Sequence, residues 1–180
     1  YDVRSIYSKE LGRALANQMD KHVYQNLILN SRASALSPQA AGAQLTDADF
    51  ATNAASAAAT IFDAAEKLDE ADVPAEDRYC AVAPATYYNL IQATTVINRD
   101  WGGSGSYSDG KVLKVAGINI VPTNNLPSTN ISSGVAQGSS TNFAGNFSNT
   151  VGCVWQKNAV GTVKLMDLST EMDYQIQRQG

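Results

Sequence analysis

The clearest pattern in the chain is a run of apolar residues at helical spacing over positions 2–30. Apolar side chains recur every three or four residues, no proline interrupts them, and polar side chains occupy the opposite face. The apolar positions are Val3, Ile6, Tyr7, Leu11, Leu15, Met19, Val23 and Leu27, and the polar positions are Arg4, Lys9, Arg13, Asn17 and Lys21. The predicted helix is ~43 Å long, about the diameter of a compact globule of this size. We therefore predict one straight helix that runs the full length of the molecule and is exposed along one flank.

A loop and a second helix follow. Residues 31–45 are rich in alanine, serine, glycine and proline, which is typical of a loop. Thr46, followed three residues later by Asp49, resembles a capping box and predicts that a helix starts there. We expect this helix to continue through an alanine-rich stretch and to stop before Val73-Pro74, because the residue before a proline is disfavoured in the helical conformation.

The rest of the pattern predicts one more helix and a series of strands. Pro84 is placed as the first residue of a helix that ends near Gln92, because proline is favoured at that position. The stretch 101–110 contains four glycines and predicts a loop. The predicted strands are Arg78–Ala83, a hairpin over Lys111–Val121 that turns near Ala116-Gly117, Val151–Gln156 and Val160–Leu168. This order of elements indicates an α+β fold, without the βαβ alternation that a parallel sheet shows.

Composition and charge exclude several classes of protein. The 180 residues are 44% hydrophobic and 17% charged, which indicates a globular chain that is neither disordered nor membrane-spanning. A net charge of −4 argues against a basic nucleic-acid surface. Residues 115–156 carry no charged side chain, which is typical either of a region shared with neighbouring subunits or of a loop solvated by its own amides and hydroxyls. We expect the loops at 101–110 and 128–150 to be the least ordered parts of the chain.

No set of residues in the sequence suggests a reaction, a cofactor or a metal site. One histidine and two cysteines exclude a cage of several His and Cys ligands. Cys80 and Cys153 lie in apolar, strand-like runs, so we expect two reduced core thiols, and a disulfide between them stays open. His22 is not tied to any nucleophile motif. We interpret the acidic cluster over residues 69–77 as a solvated face, with a weak cation site as the alternative, because its spacing lacks the glycine and the terminal Glu of a calcium loop.

Four segments, in order along the chain, carry motifs of one family. They are Tyr1–Ser5 with Leu11-Gly12, then Val73-Pro74 with Asp77-Arg78 and Pro84-x-x-Tyr87, then Gly117–Pro122, and finally Ala159–Leu165 with Asp167. Together these segments resemble the major capsid proteins of T-seven-like podoviruses, whose long helix is called the spine helix. The positions that the resemblance marks as motif or assembly residues are Tyr1, Asp2, Val3, Arg4, Leu11, Gly12, Pro74, Asp77, Arg78, Pro84, Tyr87, Gly117, Val121, Pro122, Ala159, Val160, Gly161, Thr162, Lys164 and Asp167.

The resemblance implies the Hong Kong 97-type capsid fold. Residues 1–43 and the C-terminal strands at 157–180 would form the peripheral domain, and residues 44–156 the axial domain. The family's N-terminal arm and extended loop, which precede the spine helix, and its C-terminal tail have no counterpart in this sequence. We therefore expect the chain alone to remain soluble and to form no closed shells.

The resemblance also implies a structural function without catalysis, cofactor or membrane contact. Copies of the full-length protein would form the hexamers and pentamers of an icosahedral virion capsid in the cytoplasm of a bacterial host. Scaffolding and portal proteins would be the other partners, and the shell would enclose double-stranded DNA without reading its sequence.

Two other functions are compatible with the residues. A pilin-like or other polymer-forming surface protein would use the long helix together with a Cys80–Cys153 disulfide. An enzyme would pair His22 with Cys80 or Cys153, but the sequence offers no further catalytic partner. A titration of free thiols separates the capsid interpretation from the pilin-like one, because the capsid interpretation requires two thiols.

Overall fold

The computed structural model describes residues 3–35, 41–92, 114–131 and 143–163. Three α-helices, six strands and one 3-10 turn lie within these ranges. The helices are α1 (Val3–Ser31), α2 (Ala54–Glu70) and α3 (Pro84–Gln92), and the 3-10 turn is Lys157–Ala159. The strands are β1 (Arg78–Val82), β2 (Lys114–Val115), β3 (Ile118–Pro122), β4 (Asn130–Ile131), β5 (Gly145–Asn146) and β6 (Gly152–Gln156). The unbroken long helix, the helix that begins at Pro84 and the strands at 78–82 and 152–156 confirm the corresponding predictions.

The four main strands form one mixed sheet in the order β2-β3-β1-β6. The central strand β1 pairs antiparallel with β6 and parallel with β3. Because α3 lies in the connection from β1 to β3, the prediction that no βαβ alternation is present was wrong for this pair. The alternation is hidden in the sequence because the short strand β2 stands between α3 and β3 and joins the sheet at its edge.

One face of the sheet carries the hydrophobic core. Cys80 and Val82 of β1 and Ile118 and Ile120 of β3 lie on this face with Val154 of β6. α2 and α3 cover them with Ala57, Ile61, Ala65, Tyr87, Leu90 and Ile91, and Phe50 joins the same cluster. Burial of these side chains is the main source of the stability of this part of the chain.

The other face of the sheet receives the C-terminal part of α1. Tyr79 and Trp155, which are directly paired on β1 and β6, stack on this face with ring centroids 6.0 Å apart. Tyr24 of α1 meets the Trp155 ring edge-on at 5.7 Å. The sheet is therefore sandwiched between α2 and α3 on one side and the end of α1 on the other.

The second helix begins later than the capping box predicts. α2 starts at Ala54, and the side chain of Asn53 caps it by accepting from the backbone N–H groups of Ala55 and Ser56. The predicted capping box of Thr46 and Asp49 was wrong, because residues 48–52 form a bend and a turn in which the carbonyl of Asp49 accepts from the N–H groups of Thr52 and Asn53. The Asp47 carboxylate accepts from the hydroxyls of Ser56 and Thr60, both at 2.8 Å, and these bonds hold the pKa of Asp47 below its usual range.

The predicted hairpin is confirmed. β2 and β3 pair antiparallel, and the two residues between them, Ala116 and Gly117, have φ angles of 51° and 76°. Positive φ at both positions is the geometry of a type I′ turn, which matches the right-handed twist of the strands. Glycine suits the second position because it has no Cβ to clash in the left-handed region.

The prediction of a strand at Val160–Leu168 was wrong for the part that the structure describes, residues 160–163. Residues 160–163 have no strand assignment, although the backbone at Val160 is extended, and the Val163 side chain is almost fully exposed. A strand needs a paired neighbour, and sequence alternation alone does not supply one. The rest of the predicted strand at 164–168 and the loop at 101–110 lie outside the described residues. Of the loop at 128–150, the described parts contain the two-stranded sheet β4–β5.

Arg78 ties the end of α2 to the start of β1. Its guanidinium donates to the Asp69 carboxylate at 2.7 Å, to the carbonyl of Pro74 at 3.0 Å and to the carbonyl of Val73. The Arg78 side chain is 5% exposed, whereas that of Asp69 is 68% exposed. Since two of the three acceptors are backbone carbonyls of the connecting loop, Arg78 holds this loop even without its charged partner.

This asymmetry predicts unequal effects of two substitutions. Arg78→Met leaves two carbonyls of the loop without their donor and lowers the free energy of unfolding by about 2–3 kcal/mol. Asp69→Asn removes a mostly exposed charge and lowers it by about 0.5–1 kcal/mol. Urea unfolding of the two variants tests this, and equal losses would contradict the account.

Candidate assembly surface

The N-terminal part of α1 makes little contact with the rest of the described chain. All side chains from Ser5 to Lys21 are exposed. The predicted exposure of α1 along one flank extends here to every side of the helix. We call residues 5–21 of α1 the projecting half.

Apolar side chains form a continuous ridge along the projecting half. Tyr7, Leu11, Leu15 and Met19 follow one another at intervals of four residues, so they lie side by side on the helix. Leu11 is 74% exposed and Met19 is 55% exposed. The same row continues through Val23 to Leu27, which is 8% exposed against the domain. One half of the ridge is thus packed within the chain, and the other half faces solvent.

A helix of this length gains little from its own hydrogen bonds. In proteins, most of the stability of a helix comes from packing of an apolar face against other parts of the structure. A contiguous exposed apolar patch on a protein marks an interaction site more often than an accident of sequence. The projecting half is therefore built to be covered by something outside the described chain.

The anchor of α1 begins at His22. The imidazole stacks on the Phe143 ring with centroids 4.2 Å apart, and the Gln18 amide nitrogen lies 2.8 Å from His22 Nε2. Two residues earlier, Asn125 Nδ2 donates to the Asp20 carboxylate at 3.4 Å. These contacts fix the point at which α1 leaves the domain, beyond the carboxyl end of β3.

Arg32 fastens the C-terminal end of α1. Its guanidinium donates to the carbonyl of Asn146 at 2.6 Å and to the hydroxyl of Thr150 at 3.3 Å, and it lies over the Phe147 ring, 5.7 Å from its centroid. Phe147 is fully buried. Residues 143–150 belong to the uncharged segment, for which the sequence allowed either a region shared between subunits or a loop solvated by its own polar groups. In the structure, these residues instead pack against the C-terminal end of α1.

The acidic cluster predicted as a solvated face is exposed, as expected. Its members, Asp69, Glu70, Asp72, Glu76 and Asp77, all have exposed side chains. Asp69 is bound to Arg78, and the Asp77 carboxylate lies 3.9 Å from Lys157 Nζ. Within the described ranges, no group of three or more His, Cys, Asp or Glu side chains is arranged to hold a metal ion.

The two cysteines lie on opposite faces of the sheet. Cys80 pairs with Val154 and Ala81 pairs with Cys153, so neighbouring side chains place the two thiols on different sides. Both are free thiols. A disulfide would require the β1–β6 register to slip by one residue, which would turn every side chain of one strand over. The structure therefore contradicts the disulfide of the pilin-like alternative.

Burial also makes both thiols poor nucleophiles. Loss of solvation raises the pKa of Cys80 to about 12 and that of Cys153 to about 11. The thiolate is the reactive form, and it is scarce at neutral pH under these conditions. His22 lies on α1, on the other side of the sheet from Cys80, so these two residues cannot act as a pair.

A shallow cleft of about 250 Å³ lies beyond the carboxyl end of β1. Its lining consists of Ala51, Ala83, Thr86, Thr123, Asn124, Leu126, Ser128, Thr150 and Val151. None of these described lining residues is titratable at neutral pH, so the cleft offers no acid, base or metal ligand. No helix in the described ranges is both long and apolar enough to cross a lipid bilayer.

The motif positions from the sequence fall mainly in the folded core and its turns. Pro84 and Tyr87 begin α3, with Tyr87 buried, and Arg78, Pro74 and Asp77 form the connection into β1. Gly117 lies in the hairpin turn, and Val121 and Pro122 end β3. Val3, Arg4, Leu11 and Gly12 belong to the first turns of α1; Ala159 ends the 3-10 turn, and Val160, Gly161 and Thr162 follow it. Tyr1, Asp2, Lys164 and Asp167 lie outside the described residues.

Sequence reasoning missed the residues that seat α1. These residues are Phe143, Phe147 and Arg32. They lie in stretches that were predicted as loops, because their sequence has neither a helical nor a strand period. The one available signal was the presence of two phenylalanines in a segment otherwise made of small and polar residues. Large aromatic side chains in such a segment indicate burial rather than a solvated loop.

Comparisons with known proteins agree with this geometry. The capsid structure of the cyanophage P-SCSP1u matches with a TM-score of 0.76 and 40% sequence identity, over 87% of this chain and 51% of that chain. The asymmetric unit of the mature capsid of bacteriophage PhiM1 matches with a TM-score of 0.69 and 17% identity, over 87% of this chain and 50% of that chain. A comparison with curated proteins found no match.

The predicted α+β fold class with a long helix is confirmed, and the fold is that of phage capsid subunits. Residues 1–180 match the model of the Gp10A-like family, described as major capsid protein. The chain belongs to this family, which confirms the family resemblance. It spans about half the length of the capsid chains that it matches.

The two halves of the ridge predict opposite responses to the same substitution. Leu11→Ala with Leu15→Ala removes side chains that are 74% and 39% exposed, so the free energy of unfolding changes by less than about 1 kcal/mol. Leu27→Ala removes a buried side chain from the same row and costs about 2–4 kcal/mol. Urea unfolding at low protein concentration measures both, and a large loss in the double variant would mean that the projecting half is packed in solution.

The burial of the two thiols predicts how fast they react with a thiol reagent. Because both thiol pKa values are raised by burial, Ellman's reagent at pH 8 reacts slowly with the folded chain and rapidly with two thiols after denaturation. Recovery of no thiol from the denatured, unreduced chain would show a disulfide and would refute the assigned register of β1 and β6.

Proposed function

We propose that the chain is a structural subunit of a phage head, which assembles with other copies of itself into an icosahedral shell around double-stranded DNA. The observation that carries this proposal is the exposed apolar ridge on α1 in a chain that belongs to a major capsid family. A subunit of this kind must stay in solution before assembly, and it needs an apolar surface that assembly covers. The ridge, with charged residues on the other side of the helix, has both properties.

Weak contacts are sufficient for this function. Each subunit of a closed shell touches several neighbours, so modest affinities combine into a stable assembly. Patches on one subunit that meet different patches on the next produce rings about symmetry axes. We propose hexamers and pentamers of this kind, within the Hong Kong 97-type arrangement, assembled in the cytoplasm of the bacterial host.

The proposed division into domains follows the family pattern. Residues 1–43 and 157–180 form the peripheral domain and residues 44–156 the axial domain. The sheet with α2 and α3 supplies the compact part of the axial domain, and the projecting half of α1 leaves it. Packing of the α1 anchor on Phe143 and Trp155 supports a rigid connection between the two domains.

The proposed partners are scaffolding and portal proteins of a podovirus-like phage, besides further copies of the chain. The enclosed DNA is not bound through its sequence. The net charge of −4 supports this view, because a basic surface would hold phosphates with salt-dependent affinity. A catalytic function is not part of the proposal, since the two thiols are buried and His22 stacks on Phe143.

The proposal predicts that the ridge controls assembly. In the full-length gene product expressed with its scaffolding partner, Leu11→Ala with Leu15→Ala reduces the yield of shells by about tenfold or more, because apolar side chains at interface centres carry most of the binding energy. Ile6→Ala is the matched control. Ile6 is exposed on the same helix but lies off the ridge, and its loss leaves the yield within about twofold.

Electron micrographs of the particles and sedimentation of the lysate measure the yield. Normal shells from the Leu11 and Leu15 variant would show that the ridge is not an assembly surface. An absence of shells from the unsubstituted protein with its scaffolding partner would refute the capsid function.

A further inference from the structure

We draw no further inference here: the strongest candidate, the exposed apolar ridge along the projecting half of α1, is already the assembly surface of the proposed function, and nothing in the structure shows what covers it.

Discussion

The attachment of α1 to the sheet through only its C-terminal part is the constraint on which the rest of the structure depends. His22 on Phe143, Tyr24 on Trp155 and Arg32 over Phe147 hold about three turns of the helix, and the remaining turns extend past the domain. A helix that is half anchored presents its other half at a fixed angle. That rigidity lowers the entropic cost of docking, because the recognition surface is ordered before a partner arrives.

Surface charge and local folding preference conflict at the end of α2. Carboxylates gather at the helix end that disfavours them, and Asp72 takes a backbone conformation suited to glycine. Arg78 offsets part of this cost, because it draws the Asp69 carboxylate and two backbone carbonyls onto one buried guanidinium. The fold thus tolerates a concentrated negative surface that it does not need for its own stability.

Much of the secondary structure follows from the sequence because its signals are local. The period of α1, the proline that opens α3 and the Ala116-Gly117 turn each specify their element without distant contacts. The start of α2 was predicted too early, because Asn53 and not Thr46 caps the helix. The carboxylate of Asp47, which lies before the helix, accepts from the hydroxyls of Ser56 and Thr60 within it. The parallel pairing of β1 with β3 and the seat of α1 depend on residues far apart in the chain, which periodicity does not reveal. The sequence predicted the apolar positions of the candidate surface. It did not predict which of them are exposed, because that depends on where the sheet ends beneath α1.

Hydrogen exchange along α1 tests most directly the claim that its projecting half is an assembly surface. The comparison is between the dilute chain and the chain at a concentration where it associates. The account predicts that amides of residues 8–21 exchange about tenfold or more slowly in the associated state, while those of residues 25–31, already packed on the sheet, change little. Equal exchange of residues 8–21 in both states, with protection gained elsewhere, would contradict it.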